Sequence, residues 1–435
     1  MTARRSDLRR PPAGPRRLPA VPWRLRAIPA LGVLVALLAA CTGGPILANP
    51  TAPRPQPTAA ASANPTASPD PQPVSFPRDD GPHARLTEWW YYTGHLRAPD
   101  GHRFGFEDVI FRAERGDLPV SWASHVAITD ETAGTFAYAQ RAEIGPQVDR
   151  SPRGPDGVPT GFDLSIAGID PRAPQTFANP PWTMSGADGH DRIAARLSPA
   201  EATTAGSPGG MALQLALTST KSPLLHDGEG YVDYGPAGGS YYYSRTRMDA
   251  AGSIMLHGVT YQVEGTAWFD HQWGDFVSLG GGGGWDWFAV ELADGTDIVL
   301  NRVRALDGSY PVEYGEIVGP DGRTRHLDSS AFSVDATGSW TSPETGATWP
   351  AGWRIAIPGE GLEIGLQPTI ADQELDTRRT TGVIYWEGSQ RVTATRRGQP
   401  VAGEAYVELT GYATGSARPS ASPAGSAAPA GSAAP

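Results

Sequence analysis

The stretch LTEWWYYTGHL, residues 86–96, places four large aromatic side chains in a row, behind one carboxylate and ahead of a glycine. Successive side chains on a strand point to opposite faces. Glu88, Trp90 and Tyr92 therefore share one face, and Trp89, Tyr91 and His95 the other. Neither face can turn to water without exposing a large apolar area. A barrel strand resolves this, with a filled interior on one side and a loop or second domain on the other. Burial on such a face raises the pKa of Glu88 unless a cation or hydrogen-bond donor pairs with it. Two roles follow for Glu88: a structural anchor tied to an arginine at a barrel mouth, or a proton source facing an apolar ligand.

The same period recurs along the chain. RFGFEDVIFR (103–112), SHVAITD (124–130), MALQLALTS (211–219), VTYQVEGTAWF (259–269), WDWFAVEL (285–292) and EAYVELTGY (404–412) alternate between turn residues. That pattern marks half-buried antiparallel strands, and many such strands make a sandwich or barrel. No segment carries a convincing helical period. WWYYTGHLRAPDGHRFGFEDVIFR (89–112) is echoed by WDWFAVELADGTDIVLNRVR (285–304). Each runs aromatic strand, Asp-Gly turn, apolar strand, arginine. Asp-Gly is a strong hairpin signal, and the echo favours two related barrels over a chance likeness of hairpins.

A length of 435 residues suits two to three domains. The formal charge of -11 argues against a nucleic-acid partner, which would call for a basic patch. The single cysteine, Cys41, rules out an intramolecular disulfide. Eight arginines in residues 1–26 precede the apolar run AIPALGVLVALLAA (27–40), too short to span a bilayer comfortably. This is the pattern of a secretory signal. Leu38-Ala39-Ala40-Cys41 looks like a bacterial lipobox, whose cysteine is lipidated; the alternative is an ordinary signal peptide with an incidental cysteine. Residues 1–41 are thus expected to be a signal peptide, and 42–75 and 413–435, rich in Pro, Ala, Thr and Ser, to be disordered. The expected location is the cell envelope, outside the cytoplasm, with a membrane contact through a lipid anchor on Cys41.

The second dense motif is AWFDHQWGDF, 267–276. Asp270 and His271 are neighbours and so face opposite ways on a strand; His271 shares a face with Trp273. A histidine beside a tryptophan at a strand end can carry a proton. The plainer reading is a turn-capping Asp270 and a satisfied core His271. Five glycines follow, Gly280 to Gly284, as a surface loop or a lid. No G-x-S-x-G, phosphate loop or dinucleotide fingerprint occurs. The nine histidines show no paired metal motif, and no cofactor or metal is expected.

Together these motifs resemble the CrtC-like (AttH-like) family, which includes carotenoid 1,2-hydratases. The resemblance rests on Glu88-Trp89-Trp90-Tyr91-Tyr92-Thr93-Gly94-His95-Leu96, Tyr241-Tyr242-Tyr243-Ser244, Asp270-His271-Gln272-Trp273-Gly274, Gly284-Trp285-Asp286-Trp287-Phe288, Tyr385-Trp386-Glu387-Gly388 and Tyr406-Val407-Glu408-Leu409-Thr410-Gly411-Tyr412. It implies an all-β fold of two tandem lipocalin-like barrels, over residues 76–275 and 276–412. It implies activity on a double bond at His271 and Trp273, as in the hydratases. Those enzymes resemble one another in a Tyr and Asp on the strand after the W-D-W hairpin; here that strand carries Asn301 and Arg302, which argues against a carotenoid as the substrate.

Two functional classes stay open. One is an enzyme that protonates an isoprenoid, polyene or lipid, with Asp270, His271 or Glu88 as proton source. Its apolar ligand would lie against Trp90, Tyr92, Tyr242, Trp273, Trp285 and Trp287, whose ring faces stabilise a developing cation. The other is a carrier lipoprotein that binds the same apolar molecule and leaves it unchanged.

Overall fold

The computed structural model describes residues 70–168, 180–235, 238–276 and 283–413. The expected signal segment, Cys41, most of the tether and nearly all of the C-terminal tail lie outside the described residues, as does most of the glycine run.

The first sheet comprises β1 (Thr87–Arg97), β2 (Arg103–Ala113), β3 (Ser121–Asp130), β4 (Thr135–Ile144), β5 (Phe162–Ile166), β6 (Trp182–Ala187), β7 (His190–Arg196), β8 (Met211–Ser219), β9 (Leu224–Leu225), β10 (Tyr231–Asp233), β11 (Gly239–Leu256) and β12 (Val259–Gly274). Its order is β4-β3-β2-β1-β12-β11-β8-β7-β6-β5, with β9 and β10 paired to β11. The ends curl towards each other: Arg141 of β4 donates to the Ile166 carbonyl of β5 at 3.3 Å, and Asp149 bridges Leu164. The result is a nearly closed barrel, filled by Trp90, Tyr92, Trp122, Phe162, Trp182 and their neighbours.

The second sheet takes β13 (Gly284–Leu292), β14 (Asp297–Arg304), β15 (Val312–Val318), β16 (Thr324–Asp328), β17 (Ser333–Ala336), β20 (Trp353–Ile357), β21 (Leu362–Pro368), β22 (Glu374–Asp376), β23 (Ile384–Arg396), β24 (Gln399–Val401) and β25 (Gly403–Thr410). A separate hairpin forms from β18 (Ser339–Thr341) and β19 (Thr348–Pro350). The main order is β16-β15-β14-β13-β25-β23-β21-β20-β17. This sheet is the second of the two expected barrels, open as a half-barrel where the first is nearly closed. The hairpin accounts for the difference, because its Trp349 is buried in the half-barrel core and donates to Glu374 at 2.6 Å. It covers apolar surface that barrel closure would otherwise cover.

The sequence echo is an echo of position. β1–β2 and β13–β14 are each the first hairpin of a sheet, and each turns at Asp-Gly with the glycine at positive φ (Gly101, 94°; Gly295, 85°). Among the described residues there is one α-helix, α1 (Pro199–Thr204), which no periodicity announced; its capping box, Ser198 with Glu201, was readable as S-x-x-E.

Both faces of β1 are buried. Trp90, Tyr92 and Leu96 enter the barrel core, while Trp89 and Tyr91 pack with Trp268, Trp287, Ala289 and Tyr406 in a seam between the sheets. This is the two-sided burial that the aromatic run required. The glycine behind the aromatics has a steric cause: a Cβ on Gly94 would sit 2.2 Å from the Thr266 carbonyl oxygen and 2.8 Å from Ala267 Cα on β12. Gly94→Ala is therefore expected to lower stability by about 1–3 kcal/mol through overpacking, seen as a lower urea midpoint. An unchanged midpoint would mean that β1 and β12 are free to move apart.

Candidate active site

The register of β1 on β12 sets Glu88 opposite Trp273, Trp90 opposite His271 and Tyr91 opposite Asp270. Alternation then sorts the candidate residues into two places. Glu88, Trp90, Tyr92, His271 and Trp273 point into the barrel. Asp270, Tyr242, Trp285 and Trp287 lie at the seam. The three candidate proton carriers therefore do not converge.

Inside the barrel, Glu88 is wholly buried (0% exposed). Its Oε1 lies 3.0 Å from His271 Nε2 and 2.8 Å from His83 Nδ1, and its Oε2 accepts from the His83 backbone N–H at 3.0 Å. Arg112 stands 3.9 Å away. His83 stacks flat on Trp273, with centroids 4.0 Å apart, and its other nitrogen reaches Asp79 at 3.3 Å. Burial pushes the Glu88 carboxyl up, but the hydrogen bonds from His271 and His83 outweigh it and hold the group at about 2. Burial pushes His271 down, and its Nδ1 has no partner. The anchor expected at Glu88 is thus built mainly from two imidazoles. Ligand atoms of His83, Glu88 and His271 lie within 4.8 Å of one another, a spacing that can hold a metal ion. The hydrogen bonds among them already use those lone pairs.

At the seam, two rows of side chains face each other. Across the first sheet, pairing aligns Ser244, Asp270, Tyr91, Val109 and His125. Across the second it aligns Asn301, Trp287, Glu408 and Glu387. Asp270, 3% exposed, accepts from Tyr242 (2.5 Å), Ser244 (2.5 Å) and Trp268 (2.7 Å). Trp287 donates to the Tyr242 hydroxyl at 3.2 Å. Burial raises the Asp270 carboxyl; His226 and these donors offset only part of the rise.

Three further acids share the seam. Burial, and the charge of one on another, pushes Glu107 and Glu387 well above the ordinary carboxylate range; burial raises Glu408 to about 7. Tyr385 donates to Glu107 at 2.7 Å and meets His125 at 2.8 Å. Glu107 Oε2, both Glu387 oxygens and the hydroxyls of Tyr91 and Tyr406 make no hydrogen bond of good geometry, although Tyr91 lies beside Glu387. A buried carboxyl in such a setting is a neutral acid, able to donate a proton. At Asn301, the strand position where hydratases were expected to carry an acid, the second sheet contributes an amide. The acids come from the neighbouring strands.

Glu107, Glu387, Glu408, His226 and Glu316 were not singled out from sequence. Glu107 sits in RFGFEDV, and Glu387 and Glu408 lie inside quoted motifs. A carboxylate amid aromatic alternation was the available signal. His226 had none.

The Glu88 cluster has a testable pH signature. Its folded pKa lies below its ordinary value of 4.5, so its stabilisation is complete above about pH 4.5 and is lost as pH falls towards 2. His83 is shifted up by Asp79 and Glu88 against the effect of burial, so its share is lost instead as pH rises through its folded value. Glu88→Gln is expected to remove an acid-labile stabilisation on the order of 3 kcal/mol. Urea unfolding at pH 3 and pH 6 checks this: the difference between wild type and variant should shrink at pH 3. An equal difference at both would rule out an ionised Glu88.

Among curated proteins, none matches the sequence. The fold is similar to that of an AttH from Nitrosomonas europaea, with a TM-score of 0.64 and 28% identity over 79% of this chain and 98% of that one. It is also similar to kievitone hydratase from Nectria haematococca, with a TM-score of 0.53 and 17% identity over 79% of this chain and 94% of that one. A family model described as AttH-like matches residues 67–412. With its paired hairpins, its seam and the motifs that line it, this chain belongs to the AttH-like family.

Proposed function

We propose that the seam binds an apolar, unsaturated molecule, an isoprenoid, polyene or lipid, and protonates its double bond in the manner of a hydratase. The observation that carries this reading is Asp270, a buried carboxyl shifted towards its neutral form and ringed by Tyr242, Trp268 and Trp287. Asp270 gives its proton to one alkene carbon, leaving a cation on the other. The rings of Trp268, Trp287 and Tyr91, edge-packed against one another, supply a negative, water-poor surface for that cation. Water adds to the cation, its surplus proton is released, and the Asp270 carboxylate is reprotonated. The balance is alkene plus water to alcohol. Glu387 and Glu107, pushed towards their neutral forms, add little fixed charge to the wall an apolar ligand would meet. Glu88, held ionised, fits proton acceptance or anchoring better than donation.

A second reading is supported by the tightness of the seam. Asp270, Tyr242 and Trp287 are each under 5% exposed, as in a carrier that closes over its ligand. In either case we place the protein outside the cytoplasm, lipid-anchored through Cys41. Mass spectrometry of the mature N-terminus checks this: an acylated Cys41 is expected, and an unmodified one would leave a secreted protein.

Incubation with a lipid extract in D2O separates the two readings. Wild type is expected to yield a product carrying carbon-bound deuterium, and Asp270→Asn to lower its formation by about 10²- to 10⁴-fold, the usual contribution of a general acid. Ligand recovered unchanged and unlabelled from wild type would remove the enzyme reading and leave the carrier.

A further inference from the structure

Asp270 is sealed from water, so a proton it gives up must return along a path through the protein. We propose that Ser244, His226 and Glu316 form a proton relay joining Asp270 to solvent at His326, an inference that rests on Asp270 as the acid of the seam. The first three links are hydrogen bonds, and the last is an ion-pair contact. Ser244 Oγ is 2.5 Å from Asp270 Oδ1 and 2.8 Å from His226 Nε2. His226 Nδ1 is 3.1 Å from Glu316 Oε2. Glu316 Oε1 is 3.5 Å from His326 Nδ1, whose side chain is 40% exposed, and the far nitrogen of His326 lies 3.8 Å from Asp328, which is 86% exposed.

Local structure holds the central ring in place. His226 opens a short turn, and its carbonyl accepts from Gly230 N–H at 2.8 Å. The next residue, Asp227, takes a left-handed φ of 53° and aims its own N–H at Glu316 Oε1, 3.3 Å away. The His226 ring stacks on Tyr242 with centroids 3.6 Å apart, and Tyr242 holds the other oxygen of Asp270. One turn thus fixes His226 against both carboxyls.

Hydrogen counting gives the relay two states. Ser244 has one proton to donate. When Asp270 is protonated, it donates to Ser244, Ser244 donates to Nε2, and neutral His226 donates from Nδ1 to Glu316. When Asp270 is ionised, Ser244 donates to it and a doubly protonated His226 donates to both Ser244 and Glu316. A shift along the two hydrogen bonds at Ser244 converts one state into the other, with a single proton shared and no atom lost. Release of the Nδ1 proton through Glu316 and His326, or its uptake there, exchanges that proton with solvent.

Ser244, His226 and Glu316 also have the spacing of a nucleophile, base and orienting acid. Nucleophilic attack is disfavoured because Ser244 is fully buried and a carboxyl, Asp270, occupies the position beside its oxygen. A developing oxyanion there would meet a second acid rather than a donor pair.

The titratable groups around His226 are Glu316 and Tyr314 from β15, His326 from β16, and Tyr242 and Asp270 from β11 and β12. The test uses the full chain labelled with 15N-histidine and with 13C at the Asp carboxyl carbon. In wild type, the His226 nitrogens and the Asp270 carboxyl are expected to change together across a pH series, because one proton serves both. In Ser244→Ala they should separate into two steps, while Glu316→Gln should leave His226 neutral throughout. Independent titration in wild type, or no separation in Ser244→Ala, would overturn the relay. So would labelling of Ser244 by a fluorophosphonate, which would make it a nucleophile. In D2O with lipid extract, His226→Gln should cut deuterium uptake by at least about tenfold with ligand still bound; full uptake would also overturn it. If wild type takes up no deuterium, the catalytic reading fails, and the titration still decides the relay.

Discussion

The buried pairing of β1 with β12 is the constraint on which the rest of the structure depends. These strands run side by side with both faces covered, one by the barrel core and one by the second sheet. A period of two on a strand buried on both sides sends neighbouring residues into different surroundings. Asp270 and His271 are adjacent in sequence, yet one is cradled by hydroxyls at the seam and the other is paired to a carboxylate inside the barrel. Gly94 keeps the two strands close enough for this pairing to hold.

Burial alone does not decide what a carboxyl does; its partners do. Glu88 is wholly buried, but His271 and His83 hold it ionised. Glu387 and Glu107 are equally buried and Glu408 is half-buried, all with fewer donors, so desolvation dominates and raises each of them. Two populations of acid therefore stand on opposite sides of the first sheet, one inside the barrel and one at the seam. Separation of this kind lets one protein contain both a fixed charge for cohesion and a neutral acid for chemistry.

The seam serves the fold as well as the site. The half-barrel does not close on itself, so its seam-facing side must be covered, and the outer face of the first barrel covers it. Trp268, Trp287, Tyr91 and Tyr406 supply that contact. His95 reaches the Ala405 carbonyl at 3.0 Å, and Thr129 donates to Gln373 at 2.8 Å, tying the sheets together by polar contacts as well. The side chains of the proposed site are thus also the ones that join the two sheets.

Much of the fold was legible in the sequence, and less of the site. Alternation, Asp-Gly turns and the aromatic run in 86–96 carried the all-β architecture and the need for two covered faces, because strand period is a local property of the chain. The half-barrel was not legible, since closure depends on where a distant hairpin puts Trp349. Among site residues, Asp270, Tyr242, Trp285 and Trp287 stood out by composition and meet at the seam, while Glu88, His271, Trp90, Tyr92 and Trp273 stood out equally and meet elsewhere. By itself the sequence determined which residues share a face of a strand. Only the tertiary structure decided what lies opposite that face: Tyr385 against Glu107 across 278 residues, and Glu316 against His226 across 90. The electrostatics of a buried acid depend on that opposite wall, and its identity is carried by no local pattern.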